Sequence, residues 1–202
     1  KVHPLDVNSV IRETVDLVST QGQFSEIELR LELADGLPMV ACDPYQLQQV
    51  LVNLFVNAGD ALNTMGVKPG RVTVQTRLRK ARPRPEVQAR RKDDPPSVNY
   101  SHRRRLWAVP TRSDPAPPGQ PVVEIIVADN GPGIPRELVD LIFEPFVTTK
   151  EPGHGTGLGL AVCARLVEGM GGVIRAENGP EAGAQFNLVL PPERVLVQST
   201  VS

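Results

Sequence analysis

Between Asp43 and Met65 the chain keeps one helical pattern, DPYQLQQVLVNLFVNAGDALNTM, and this stretch constrains the fold more than any other. Asp43 is placed to cap the helix and Pro44 to occupy its first turn, where a missing N–H costs nothing. Leu47, Val50, Leu51, Leu54, Phe55 and Ala58 define an apolar face too wide to leave in water, so the helix must lie on another layer. Gln46, Gln49, Asn53, Asn57 and Asp60 recur three or four apart and form a second stripe on an adjoining face. Asparagine suits a helix interior poorly, because its amide competes with the backbone for hydrogen bonds. Two readings fit the stripe: a solvated face, or a pair of carboxamides aimed into a pocket. In the second, they hold hydrated Mg²⁺ or phosphate oxygens without adding negative charge.

The rest of the pattern mixes helices and strands without strict alternation. Apolar spacing predicts a helix over Asp6 to Thr20, with Asp6 or Asn8 as cap, and IELRLEL at 27–33 reads as a half-buried strand. Further strands are expected at Arg71 to Leu78 and Pro121 to Asp129, followed by a short helix from Pro135 and a longer one from Leu158 to Met170. GGVIRAEN and AQFNLVL close the series as two strands. This is an α+β pattern, a mixed sheet covered by helices on one face. Residues 79–120 break it, with eight prolines, many charges and few apolar residues, and read as a disordered insertion within a domain spanning 1–190. Residues 191–202 form a tail.

The chain has 202 residues, 40% of them hydrophobic, enough for one sizeable core. Its net charge of -1 hides an uneven distribution, because residues 77–120 hold 12 of the 22 Lys and Arg and only 4 of the 23 Asp and Glu. Cys42 and Cys163 have no CxxC spacing or histidine cluster around them and read as reduced thiols. No apolar run approaches the roughly 20 residues that span a bilayer, and the N-terminus lacks the zones of a signal peptide. The expectation is a cytoplasmic fragment making no membrane contact of its own, cut from a longer protein that is free to be membrane-anchored elsewhere.

Two further stretches bear on chemistry. VEIIVADNGPGIP, residues 123–135, runs an apolar strand into Asp129, Asn130, Gly131, Pro132 and Gly133. It is either a plain strand-to-helix corner or a site where Asp129 accepts a hydrogen bond from an exocyclic amine such as that of adenine, with Gly131 and Gly133 letting a flat ring approach. GHGTGLGLAV, residues 153–162, places four alternating glycines against a helix start, where unpaired N–H groups suit a phosphate chain. It is neither a Walker A loop nor a strict Rossmann fingerprint.

Taken in order, QVLVNLFVNAGDAL, DNGPGIP, FEPFVTTK and GTGLGLAV resemble the N, G1, F and G2 boxes of the GHKL superfamily, and most closely the catalytic ATP-binding domain of two-component sensor histidine kinases. The resemblance covers nearly everything outside the insertion and tail. It implies the Bergerat fold, a mixed, mostly antiparallel sheet under about three helices, with ATP and Mg²⁺ as cofactors. Asn57 would then be the Mg²⁺ ligand and Asn53 its neighbour at the phosphates. Asp129 would take the adenine amine, with Gly131, Gly133 and Ile134 shaping that pocket. Phe143 and Phe146 would anchor a flexible lid, and Lys150 would reach a phosphate. Gly155, Thr156, Gly157, Leu158 and Gly159 would hold the phosphate chain. Asn53 and Lys150 are the catalytic candidates. Ala184 stands where many relatives carry threonine near the adenine, which removes one hydroxyl contact.

ATP-hydrolysing branches resemble one another in carrying Glu where this chain has Asn53. A neutral amide is no general base for water, so transfer of the γ-phosphoryl group to a protein histidine fits better than hydrolysis. The three histidines, His3, His102 and His154, do not sit in an acceptor motif such as H-E-x-x-x-P. The acceptor is expected on upstream dimerisation helices of the same protein, with a response regulator downstream. The alternatives are a catalytically silent ATP sensor, or binding of an acidic or nucleic-acid partner by the Arg-rich insertion, whose preferred reading is a solvated spacer.

Overall fold

The computed structural model describes residues 2–83, 113–148, 155–180 and 182–193. A five-stranded sheet runs in the order β2 (Ile27–Leu33), β4 (Gly70–Lys80), β5 (Pro121–Asp129), β7 (Ala184–Leu190), β6 (Val173–Asn178). Only the β2–β4 pair is parallel. Helices α1 (Val7–Ser19), α2 (Pro44–Met65) and α3 (Gly159–Gly169) share a single core with one face of this sheet. The expected fold class, a mixed and mostly antiparallel sheet under three helices, is the one observed.

Local chemistry accounts for the helix limits. The Asp6 carboxylate accepts from the Asn8 amide at the start of α1, and Asp43 accepts from the Tyr45 amide at the start of α2. Gly66 ends α2 in the left-handed conformation, at φ 61°. Sequence periodicity missed two short strands, β1 (His3–Leu5) and β3 (Val40–Cys42), which pair antiparallel in a small second sheet. Three residues hold too little alternation to register. The helix expected from Pro135 is instead a chain of turns, in which the amides of Leu138 and Leu141 reach back only three residues, to Pro135 and Leu138.

The boundaries of the insertion also change. Arg79 and Lys80 belong to β4, and residues 113–120 fold back over the sheet face opposite the helices. There Ala116 packs on a small cluster of Ala81, Val122 and Val189. Asp114, whose side chain is fully buried, pairs with Arg79 at 2.5 Å and Arg175 at 2.8 Å, while Glu124 pairs with Arg77 at 2.6 Å and Arg79 at 2.9 Å. Composition read these residues as solvated because it could not foresee that the charges pair with one another. This coverage also explains why VVEIIV in β5 is buried on both faces, with Glu124 neutralised by its arginines. The remainder of the insertion, 84–112, lies outside the described residues.

Burial alone would raise the carboxyl of Asp114, but the Arg79 guanidinium, the Arg82 amide and Arg175 more than reverse it and hold it well below the usual carboxylate range. A folded-state value below the unfolded one contributes stability above the unfolded pKa, and the contribution fades as pH falls through the folded value. Asp114→Ala is expected to cost about 3 kcal/mol in urea denaturation at neutral pH, since it removes the buried carboxylate that pairs with two partly buried guanidinium groups. The stability gap between wild type and Asp114→Asn should narrow below about pH 4, where the wild-type carboxylate begins to lose its advantage.

Candidate functional site

The most specific polar arrangement in the molecule surrounds Asp129, at the last position of β5. Its Oδ1 accepts from the Gly131 amide at 2.8 Å and the Ala184 amide at 3.2 Å. Both bonds fall on one oxygen, which leaves Oδ2 for a ligand donor. Burial raises the pKa of Asp129, and the two amides oppose the rise. The approach of Ala184 depends on its neighbour: Gly183 has φ 85°, and a Cβ built there would stand 1.8 Å from the Asp129 carbonyl oxygen. Gly131 lies against α2, where an added Cβ would meet Leu62 at 3.5 Å.

Further back along α2, Asn53 and Asn57 are half-buried, whereas Gln46 and Gln49 are exposed, so the polar stripe divides into a solvated end and a sheltered end. The Asn53 carboxamide lies beside the Cys163 thiol of α3, which donates to the Val50 carbonyl at 3.9 Å. From Asn53, beside α3, to Leu62, beside the Asp129 turn, α2 advances nine residues, about 14 Å. Asn57 lies between these ends. Asn53 and Asn57, four residues apart, share one half-buried edge of α2, whereas Leu62 meets the carboxylate turn from the buried apolar face. Burial pushes both Cys42 and Cys163 up to about 11, which makes them chemically quiet at neutral pH.

The glycine-rich segment is held by its own contacts. Gly157 has φ 64°, its carbonyl accepts from the Phe146 amide at 3.0 Å, and an added Cβ would sit 2.6 Å from the Phe146 carbonyl carbon. Gly159 has open space around the same built atom. The fold itself therefore requires Gly157, whereas Gly159 keeps unused room. Thr156 accepts weakly from the Leu158 amide, at 3.4 Å, and Leu158 precedes α3 without a side-chain cap. The two phenylalanines separate: Phe143 stacks edge-on against Phe186 at 6.4 Å, while Phe146 is 76% exposed with φ 68°, a rare conformation for a side chain of its size.

The structure thus gathers Asp129, Gly131, Gly133 and Ile134 at one end of α2 and places Asn53 against the helix that begins at Gly159. Phe146 does not pack into the core, and Lys150 lies outside the described residues, as do His154, Tyr100 and Trp107. Sequence reasoning missed Asn178 and Cys163. Asn178 stands in the sequence only as the last residue of the strand GGVIRAEN, and a lone cysteine in an apolar helix carries no signal.

Among the described residues no three His, Cys, Asp or Glu side chains cluster as metal ligands. A cation here would rely on carboxamide oxygen, phosphate and water, a donor set that suits Mg²⁺ beside a nucleotide. Among the described residues no helix is long and apolar enough to cross a membrane. Gly183→Ala is expected to destabilise the fold by about 2 kcal/mol or more, because strain at positive φ adds to the backbone collision. Thermal unfolding of the variant checks this.

Residues 42–194 match the family model described as histidine kinase-, DNA gyrase B- and HSP90-like ATPase. Over 187 residues, 93% of this chain, the sequence is 33% identical to the sensor histidine kinase ZraS of Escherichia coli K12. It is 34% identical over 166 residues, 82% of this chain, to the sensor kinase CckA of Brucella abortus. The chain spans only 30% of the first and 14% of the second. Among solved structures, the catalytic domain of histidine kinase ThkA superposes with a TM-score of 0.63 at 26% identity, covering 95% of each chain. Full-length ShkA in complex with AMPPNP superposes with a TM-score of 0.61 at 25% identity, covering 95% of this chain and 31% of that one. The sheet order, the carboxylate turn and these matches agree: the chain belongs to the GHKL family of ATP-binding domains and is homologous to sensor histidine kinases.

Proposed function

We propose that this chain binds Mg-ATP and donates its γ-phosphoryl group to a histidine on a dimerisation segment outside the chain, for relay to a response regulator. The observation that carries the reading is the one-sided engagement of Asp129: two backbone amides occupy Oδ1 and leave Oδ2 to accept from an exocyclic amine. A charge-assisted bond of that kind is worth about 1.5–3 kcal/mol. The AMPPNP complex of ShkA, a structural relative, supports a nucleoside triphosphate as the ligand class.

At the opposite end, Asn57 would hold Mg²⁺ through its carboxamide oxygen, and Asn53, one turn earlier on α2, would lie beside the phosphates. The ion would offset negative charge on the transferring group. The amides opening α3 would receive phosphate oxygens with their partial positive charge. In the transfer, an acceptor imidazole nitrogen uses its lone pair to form the N–P bond. The bond from the γ-phosphorus to the bridging oxygen breaks, and ADP departs with that electron pair. Neither Asn53 nor Asn57 can deprotonate water, so the site favours a nucleophile that attacks without first losing a proton over hydrolysis.

The test combines the chain, γ-labelled ATP and the separately purified acceptor helices of the same protein. Labelled phosphohistidine should form on the helices and not on the chain alone, and Asn57→Ala should slow transfer by at least about tenfold. Nucleotide binding without any transfer would identify a silent sensor. Phosphate release to water as the dominant product would contradict the role given to the asparagines.

A further inference from the structure

We propose that Asn178 is a positioning residue for nucleotide recognition, which fixes the base-side wall of the pocket before ligand arrives. This rests on the nucleotide-binding reading above and assigns a residue that no box of the motif set contains. Asn178 ends β6. Its Oδ1 accepts from the Ile134 amide at 2.6 Å, and its Nδ2 donates to the Ile134 carbonyl at 2.9 Å. One carboxamide therefore satisfies both backbone groups of one residue, as a neighbouring strand would.

The stretch it holds has no other regular support, since residues 131–135 belong to no strand or helix. The contact is close enough to dictate the adjoining residue. Gly133 has φ 78°, and an added Cβ would stand 2.7 Å from Asn178 Oδ1. Gly133 is therefore a glycine at least partly because Asn178 approaches it. The same β6–β7 hairpin supplies the Ala184 amide to Asp129 Oδ1. It thus grips the turn at both ends, at Asp129 and at Ile134, and sets the spacing between the carboxylate and the Gly133–Ile134 backbone.

A pocket fixed this way loses less freedom on binding, and its shape discriminates between bases. Asparagine suits the task because it offers one donor and one acceptor side by side. Aspartate keeps the acceptor and sets a second oxygen against the Ile134 carbonyl, while alanine removes both partners. The ligand class that profits is a purine bearing an exocyclic amine donor, read by Asp129 against a wall that does not shift.

Competition binding with ATP, ADP, AMP and GTP separates the possibilities, using wild type, Asn178→Ala and Asn178→Asp, with folded fraction followed by circular dichroism. Both Asn178 variants should weaken ATP, ADP and AMP by one common factor of about five- to tenfold, consistent with losing one or two neutral hydrogen bonds. The preference for ATP over GTP should fall with it. Wild-type affinities in the Asn178 variants, with or without a lower unfolding temperature, would overturn the proposal. So would a loss that grows with the number of phosphates. A wild-type chain that binds no nucleotide would instead remove the nucleotide-site reading on which the proposal stands.

Discussion

Drawing a carboxylate partly out of water is costly unless hydrogen bonds compensate, and the arrangement around the half-buried Asp129 meets that cost with backbone. The Gly131 amide comes from the turn that follows β5, and the Ala184 amide from the first residue of β7. Both are in place only if β5 and β7 pair with Ala128 opposite Gln185 and Val127 opposite Phe186, as they do. Gly183 must also adopt positive φ to let the hairpin close on the Asp129 carbonyl. Strand register, a hairpin glycine and one carboxylate are therefore interdependent, and the orientation of the carboxylate is a product of all three.

Helix α2 turns this local arrangement into a site with two ends. Its apolar face, from Leu47 to Leu62, is sealed in the core, which fixes its rotation and brings the neighbouring asparagines to a half-buried edge. The ion network on the other sheet face stabilises the same strands from behind. Arg79 pairs in register with Val122, seven residues and about 23 Å along β5 from Asp129, so its charges act on the frame and not on the ligand. Substitutions in the two regions should accordingly separate stability from nucleotide affinity.

Much of this was legible in the residues. Asp43 and Pro44 mark the start of α2, IELRLEL alternates through β2, and the Asp-Asn-Gly turn identifies the end of β5. What stayed hidden was non-local. Asp114 sits among prolines and arginines, and nothing in its neighbourhood announces that Arg79 and Arg175, on two different strands, will bury it. Asn178 lies 44 positions from Ile134, beyond any spacing rule. Cys163 and Asn53 meet only because α2 and α3 pack together. The turns after Pro135 mimic a helix in composition because Leu138, Ile142 and Phe143 do face the core, though from irregular backbone.

The most direct test is a Mg-ATP titration of the wild type beside Asp129→Asn. Asparagine can still accept from Gly131 and Ala184 through its Oδ1, so the fold should stand, but it presents an amide nitrogen where the ligand's amine needs an acceptor. Affinity for ATP is expected to fall by about ten- to a hundredfold, with the unfolding temperature nearly unchanged. Equal affinity in the two proteins would contradict the placement of the adenine amine at Asp129.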